Sequence, residues 1–171
     1  IIGGVKFYER KEIKDMLAYL KIISNPLDNV SLLRILNFPP RGVGKTSIEK
    51  IIKESKKQKI SLFKMLKNIN QVDIGVSQKK TVTTFIKNIS EFQKKADNIS
   101  IVSLINELIE KFKINDHYNK QNTSDSNERW QNIEELINGV IEYDNDKESA
   151  NLVTFLEEVS LLTDIDKWND E

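Results

Sequence analysis

The 171-residue chain has no cysteine and a single histidine. A disulfide framework, a thiol nucleophile and a zinc site built on thiolates or imidazoles are therefore excluded. Proline and glycine are sparse, with three and six residues, which argues against a turn-rich sandwich or barrel and for helices. No run of eighteen apolar residues occurs, and the N-terminus has no basic stretch leading into an apolar one. A membrane span and a signal peptide are not expected, and the expected location is cytoplasmic. The chain starts at Ile1 without Met, so it is expected to be a piece of something longer.

What the chain has in quantity is charge, 30% of its residues, balanced to a formal net of zero. The balance is between halves. Residues 1–67 carry 15 Lys and Arg against 6 Asp and Glu, and residues 68–171 carry 11 against 20. A basic half that could meet a polyanion is joined to an acidic half that would avoid one, although solvated helix faces of ordinary composition give the same totals.

Apolar periodicity predicts an all-α chain. Ile13, Met16, Leu17, Leu20 and Ile23 recur at helical spacing and Asn25-Pro26 ends the run. Asp28 is placed to cap a second helix, with either Val30, Leu33 and Leu36 or Leu32 and Ile35 turned inward. Thr46 and Glu49 have capping-box spacing before a third helix. Further helices are expected over 61–68, 77–96, 100–112, 128–143 and 152–162, making six to eight in all. Residues 1–8 carry the one extended signature, and the polar stretch 115–127 is expected to be a loop.

The segment "PPRGVGKTS", residues 39–47, looks like the end of a nucleotide-binding P-loop. That motif needs a glycine at the position of Pro39 and a buried strand before it, and here a helical pattern precedes. A helix, a glycine turn and a second helix instead form a helix-hairpin-helix layout. Gly42 and Gly44 could take left-handed backbone angles and bring the main chain close to a surface, with Val43 as an inward plug. The N-terminus of the second helix would attract phosphate, aided by Arg41, Lys45, Thr46 and Lys50. Such contacts read a nucleic-acid backbone without regard to sequence. A plain helix–helix connection with basic neighbours fits the bare pattern equally well.

Residues 1–51 also resemble a family. Gly3-Gly4, Phe7-Tyr8-Glu9-Arg10, Glu12-Ile13-Lys14-Asp15, Ala18-Tyr19-Leu20, Asn25-Pro26, Arg34-Ile35, Asn37, Pro39 and Arg41-Gly42-Val43-Gly44 resemble the stretch of UvrD/Rep/PcrA-type superfamily 1A DNA helicases that leaves motor domain 2A and enters subdomain 2B. "ERWQNIEELINGVIEY" and "TFLEEVSLLTDID" resemble the last 2B helices more loosely, and between about 55 and 125 only helical character is shared. Tyr8 stands where Phe is common, and Pro40 and Lys45 occupy variable positions.

The resemblance implies a helical 2B subdomain over 11–162, joined to 2A by connections at 1–10 and 163–171, in an ATP-dependent 3′-to-5′ helicase of repair or replication. It implies duplex contacts at Arg41, Gly42, Val43, Gly44, Lys45 and Thr46, and partners among motor domains 2A, 1A and 1B and a repair protein. ATP and Mg²⁺ would belong to the parent enzyme. The chain has no Walker motif, so alone it is not expected to hydrolyse ATP. The alternative is a protein-interaction module whose acidic half docks on the motor domains or a repair partner.

Of the remaining residues, Glu9 and Glu12 are expected to complement a helix dipole, His117 to be exposed in the polar loop, and Trp130 and Trp168 to pack in the core or against a missing domain.

Overall fold

The second helix is apolar on almost every side. In the computed structural model, which describes residues 4–146, 148 and 150–169, α2 (Lys11–Ser24) exposes only Lys11, Lys14, Lys21 and Ser24. A helix so clothed must be surrounded. It is packed by α3 (Asn29–Ile35), α6 (Val76–Lys95), α9 (Ser124–Asp146) and α10 (Leu152–Asn169). Ile13, Met16, Tyr19, Leu20 and Ile22 are wholly buried there, and burying each such side chain stabilises by about 1.5–3 kcal/mol.

The other helices are α1 (Val5–Tyr8), α4 (Lys45–Gln58), α5 (Leu62–Lys67), α7 (Ile101–Lys111) and α8 (Ile114–Gln121), with 3₁₀ turns at Ile69–Gln71 and Ala96–Asn98. No strand occurs among the described residues, so the all-α expectation holds. The ten α-helices among the described residues exceed the expected six to eight for two reasons. The expected extended N-terminus is a single helical turn at Val5–Tyr8, which buries Phe7 and Tyr8 and packs on α10.

The expected loop over 115–127 is mostly helix as well. Ile114 and Tyr118 are buried and anchor a polar helix that periodicity alone could not reveal. Asn122, with a φ of 46°, turns the chain. Thr123 and Ser126 then bond reciprocally, Ser126 N to Thr123 Oγ1 at 3.0 Å and Thr123 N to Ser126 Oγ at 3.1 Å, and start α9.

Side-chain caps start three further helices. Asp28 Oδ1 accepts from Ser31 N at 3.1 Å, and Ser61 and Ser100 cap α5 and α7. On α3 the inward set is Leu32, Ile35 and Leu36, and Val30 is left 81% exposed. Helices α2 and α3 are locked by the buried Asp15, which accepts from Arg34 Nε at 2.7 Å and Lys11 Nζ at 3.0 Å. Two donors compensate that carboxylate for its lost water.

Candidate nucleic-acid interface

Where α3 ends, its last carbonyls need donors, and Arg41 supplies them. Its Nη1 donates to the carbonyls of Ile35 at 2.5 Å and Leu36 at 2.9 Å, and its Nη2 donates to the Phe38 carbonyl and the Tyr19 hydroxyl, both at 2.8 Å. The guanidinium plane also lies over the Phe85 ring, 4.4 Å from its centroid, and 5.7 Å from that of Phe112. Arg41 therefore points inward. The expectation that its charge would face a phosphate is corrected, because both of its Nη groups donate inward, to carbonyls of the turn and to the Tyr19 hydroxyl.

The turn has a second organiser in Asn37. Its Oδ1 accepts from Arg41 N at 2.8 Å and from Val43 N at 3.1 Å, closing the loop around one side-chain oxygen. The Phe38–Pro39 peptide bond is cis. Val43 is fully buried, as expected of a hydrophobic plug, so neither its side chain nor its N–H is offered to a ligand.

The two glycines differ. Gly42 has a φ of 80°, the left-handed region expected of it, and its carbonyl accepts from Gln78 Nε2 at 3.1 Å. Gly44 has a φ of −82° and a ψ of −178°, ordinary extended backbone, and is itself the N-cap of α4. The left-handed expectation for Gly44 is corrected. So is the capping box: Thr46 lies at the second helical position and its side chain caps nothing. A Cβ at either glycine would meet no atom within 4 Å, so both face open space.

Beyond Gly44 the intrahelical ladder begins with Ile48 N donating to Gly44 O at 3.0 Å. The N–H groups of Lys45, Thr46 and Ser47 precede it and project along the helix axis at the positive end of the macrodipole. Lys45 and Thr46 are exposed there. Thr46, Lys50, Lys53 and Lys57 follow one another at four- and three-residue spacing on one exposed face of α4, flanked by Glu49 and Glu54. Lys50 Nζ is tied to the Asp73 carbonyl at 3.1 Å, which fixes its stem beside the start of α6.

The structure thus brings Gly42, Gly44, Lys45 and Thr46 together on one outer edge, with Lys50 one turn behind. The framework of Tyr19, Asn37, Gln78, Phe85 and Phe112 is what periodicity could not single out. Burial pushes the Tyr19 hydroxyl up to about 12, against the opposing pull of Arg41, so it remains a hydrogen-bond donor throughout the ordinary pH range.

His117, expected to be exposed, is instead half-buried, with its ring edge-on to Phe38 at 5.3 Å. Trp130 is partly buried against the core near Tyr118, as expected, and the Trp168 side chain lies outside the described residues. No cluster of His, Asp or Glu suited to a metal ion is present among the described residues, and no helix there is long and apolar enough to cross a membrane.

The family model for the UvrD-like helicase C-terminal domain matches residues 1–171. The chain is similar to the ATP-dependent DNA helicase PcrA of Bacillus subtilis, 34% identical over 171 residues covering 100% of this chain and 23% of that protein. It is 37% identical to the protein of the same name from Staphylococcus aureus, with 100% and 24% covered, and 32% identical to that of Staphylococcus epidermidis, with 98% and 23% covered. The chain spans about a quarter of the length of these relatives. With its whole length matched, the chain belongs to the UvrD-like helicase C-terminal domain family.

Proposed function

We propose that the chain is the 2B subdomain of an ATP-dependent 3′-to-5′ DNA helicase acting in repair or replication, and that it grips duplex DNA by the phosphate backbone through the α3–α4 hairpin. The observation that carries this reading is the outer edge of that hairpin. Gly42 and Gly44 leave the approach open, Lys45 and Thr46 are exposed, and the free end of α4 offers backbone donors to an anion.

Arg41 and Asn37 brace the turn from within, so the helix end is presented already shaped and little ordering accompanies binding. The contacts address phosphates and not base edges, which makes binding independent of sequence and sensitive to salt.

The proposed subdomain covers residues 11–162, with connections to motor domain 2A at 1–10 and 163–171. The packing of α1 against α10 supports this, since it sets the first and last described helices side by side, as a module inserted into a larger domain requires. Motor domains 1A, 1B and 2A, with ATP and Mg²⁺, would supply the chemistry.

A second reading, docking onto another protein, is favoured by the exposed apolar side chains of Leu27, Val30 and Leu161. It concerns a different face and can coexist with the first.

The test is binding of a labelled duplex at low salt, followed by anisotropy, for the wild-type chain and a Lys45→Ala/Thr46→Ala variant. The expected result is a Kd in the micromolar range or weaker for wild type, and a clear loss in the variant with its helical spectrum intact. Equal binding by the two proteins would overturn the assignment.

A further inference from the structure

A second basic surface lies beside the hairpin, between its Pro39-Pro40 turn and the α7–α8 junction. The Pro39-Pro40 turn and the α7–α8 junction enclose an open groove of about 580 Å³, rimmed by Lys111, Lys113 and Lys120. All three lysines are exposed, and among the described residues none has a carboxylate within ion-pair distance. By contrast, Lys11 and Lys95 elsewhere on the molecule are paired with Asp15 and Glu107. The groove holds one acid, Asp116, against the three lysines and Arg41, whose Nη donors are directed inward to the turn and to Tyr19.

Between the lysines, Pro39, Pro40, Phe112 and the His117 ring form the floor, with Arg41 and Gln121 also in the lining. The rings are held in place: His117 lies edge-on to Phe38 at 5.3 Å and to Tyr118 at 4.8 Å, and Phe112 packs against Tyr19 at 4.9 Å and Phe85 at 5.7 Å. Burial, together with the charge of Lys11, lowers the imidazole pKa, so the ring is neutral at pH 7. Lys113 has a φ of 55°, which bends the chain sharply between α7 and α8 and places its lysine on the rim together with Lys111.

From the combination of an apolar ring floor and an uncompensated cationic rim, we infer that this groove binds single-stranded nucleic acid, with its phosphates on the lysines and its bases on the floor. Ring surfaces and a basic track are together what an unpaired strand requires. The groove's volume is that of a small-molecule pocket, enough for a nucleotide or two and far too small to hold a duplex. An acidic peptide would use the lysines and leave the rings without a partner. The inference goes beyond the hairpin reading, and the two sites share no proposed contact residue.

Three proteins separate the two sites: the wild-type chain, the groove variant Lys111→Gln/Lys113→Gln/Lys120→Gln and the hairpin variant Lys45→Ala/Thr46→Ala. Each is titrated with labelled oligothymidylate, with duplex and with a poly-glutamate peptide, at several salt concentrations. All the substituted side chains are exposed, and circular dichroism checks that the variants stay folded. The salt slope for a single strand is about 0.7 per phosphate neutralised, so the groove variant should lose about 2 from the slope for oligothymidylate. That equals about 20-fold in sensitivity across a fourfold change in salt. Its duplex binding should be unchanged, and the hairpin variant should keep its oligothymidylate binding.

The inference is overturned if wild type does not bind oligothymidylate at low salt, if the groove variant binds it as wild type does, or if the hairpin variant loses it as well. It is also overturned if poly-glutamate binds as tightly and with the same dependence on the three lysines, which would assign the groove to an acidic protein partner. Unchanged duplex binding by the hairpin variant would overturn the hairpin reading and leave this result standing.

Discussion

Arg41 donates from Nη2 to the Tyr19 hydroxyl at 2.8 Å, and that hydroxyl donates in turn to the Phe38 carbonyl, which also accepts from Arg41. The triangle ties the glycine turn to the central helix α2. Replacing Arg41 with Ala would leave the carbonyls of Ile35, Leu36 and Phe38 short of donors and uncover the Phe85 ring. Since hydrogen bonds from a charged group contribute about 1.5–3 kcal/mol, a loss of about 2–4 kcal/mol in urea unfolding is expected. Arg41→Lys keeps the charge but not the planar fork, and should recover less than half of that loss.

The Tyr118 hydroxyl is buried and has no hydrogen-bond partner. Its ring packs near Phe38 and Trp130, and burial raises its pKa further above the usual tyrosine value. A polar atom that loses water and gains nothing opposes folding. Tyr118→Phe should therefore be neutral or stabilising by up to about 1 kcal/mol, measured as a rise in Tm. A fall in Tm would show that the hydroxyl has a partner in solution.

His117 gives the molecule a pH dependence of defined sign. Its pKa is lowered by burial first and by Lys11 second, with Asp15 opposing, from an ordinary value of 6.5. The unfolded chain thus takes up the proton before the folded one does. Stability is fully present above about pH 6.5 and falls as the pH drops through 6.5 towards the lowered folded value. The groups around the ring are Lys11, Asp15, Asp116 and Gln121. The urea midpoint should decline from pH 7 to pH 5.5, and a His117→Gln variant should lose that part of the slope.

Much of the architecture was legible because it rests on local rules. The period of Ile13, Met16, Leu20 and Ile23, the cap at Asp28 and the serines before α5 and α7 each act within a few residues. Helix α8 was not, because Ile114 and Tyr118 are its only fully buried residues and its other side chains are those of a loop. Arg41 was misjudged for a related reason: a guanidinium beside a glycine turn looks available until Tyr19, Phe85 and Phe112, from distant parts of the chain, close around it. What did carry over to the candidate site is the part set by backbone geometry, the left-handed Gly42 and the plug at Val43.

Gly42 and Gly44 provide the sharpest separation of stability from binding. At Gly42 the φ of 80° strains any L side chain, so Gly42→Ala should cost about 1–2 kcal/mol. At Gly44 the backbone is extended and the space is open, so Gly44→Asp introduces no strain and adds a capping carboxylate. Asp is preferred over Gly at this position by a few tenths of a kcal/mol, with a further favourable interaction with the helix dipole. Gly44→Asp should therefore hold or raise Tm. Its carboxylate would also occupy the anion position at the start of α4 and repel a phosphate approaching Lys45 and Thr46. Duplex binding by this variant should fall by about tenfold or more, corresponding to about 1.4 kcal/mol or more. A Gly44→Asp protein that is as stable as wild type and binds duplex equally well would mean that the end of α4 is not where the backbone is held.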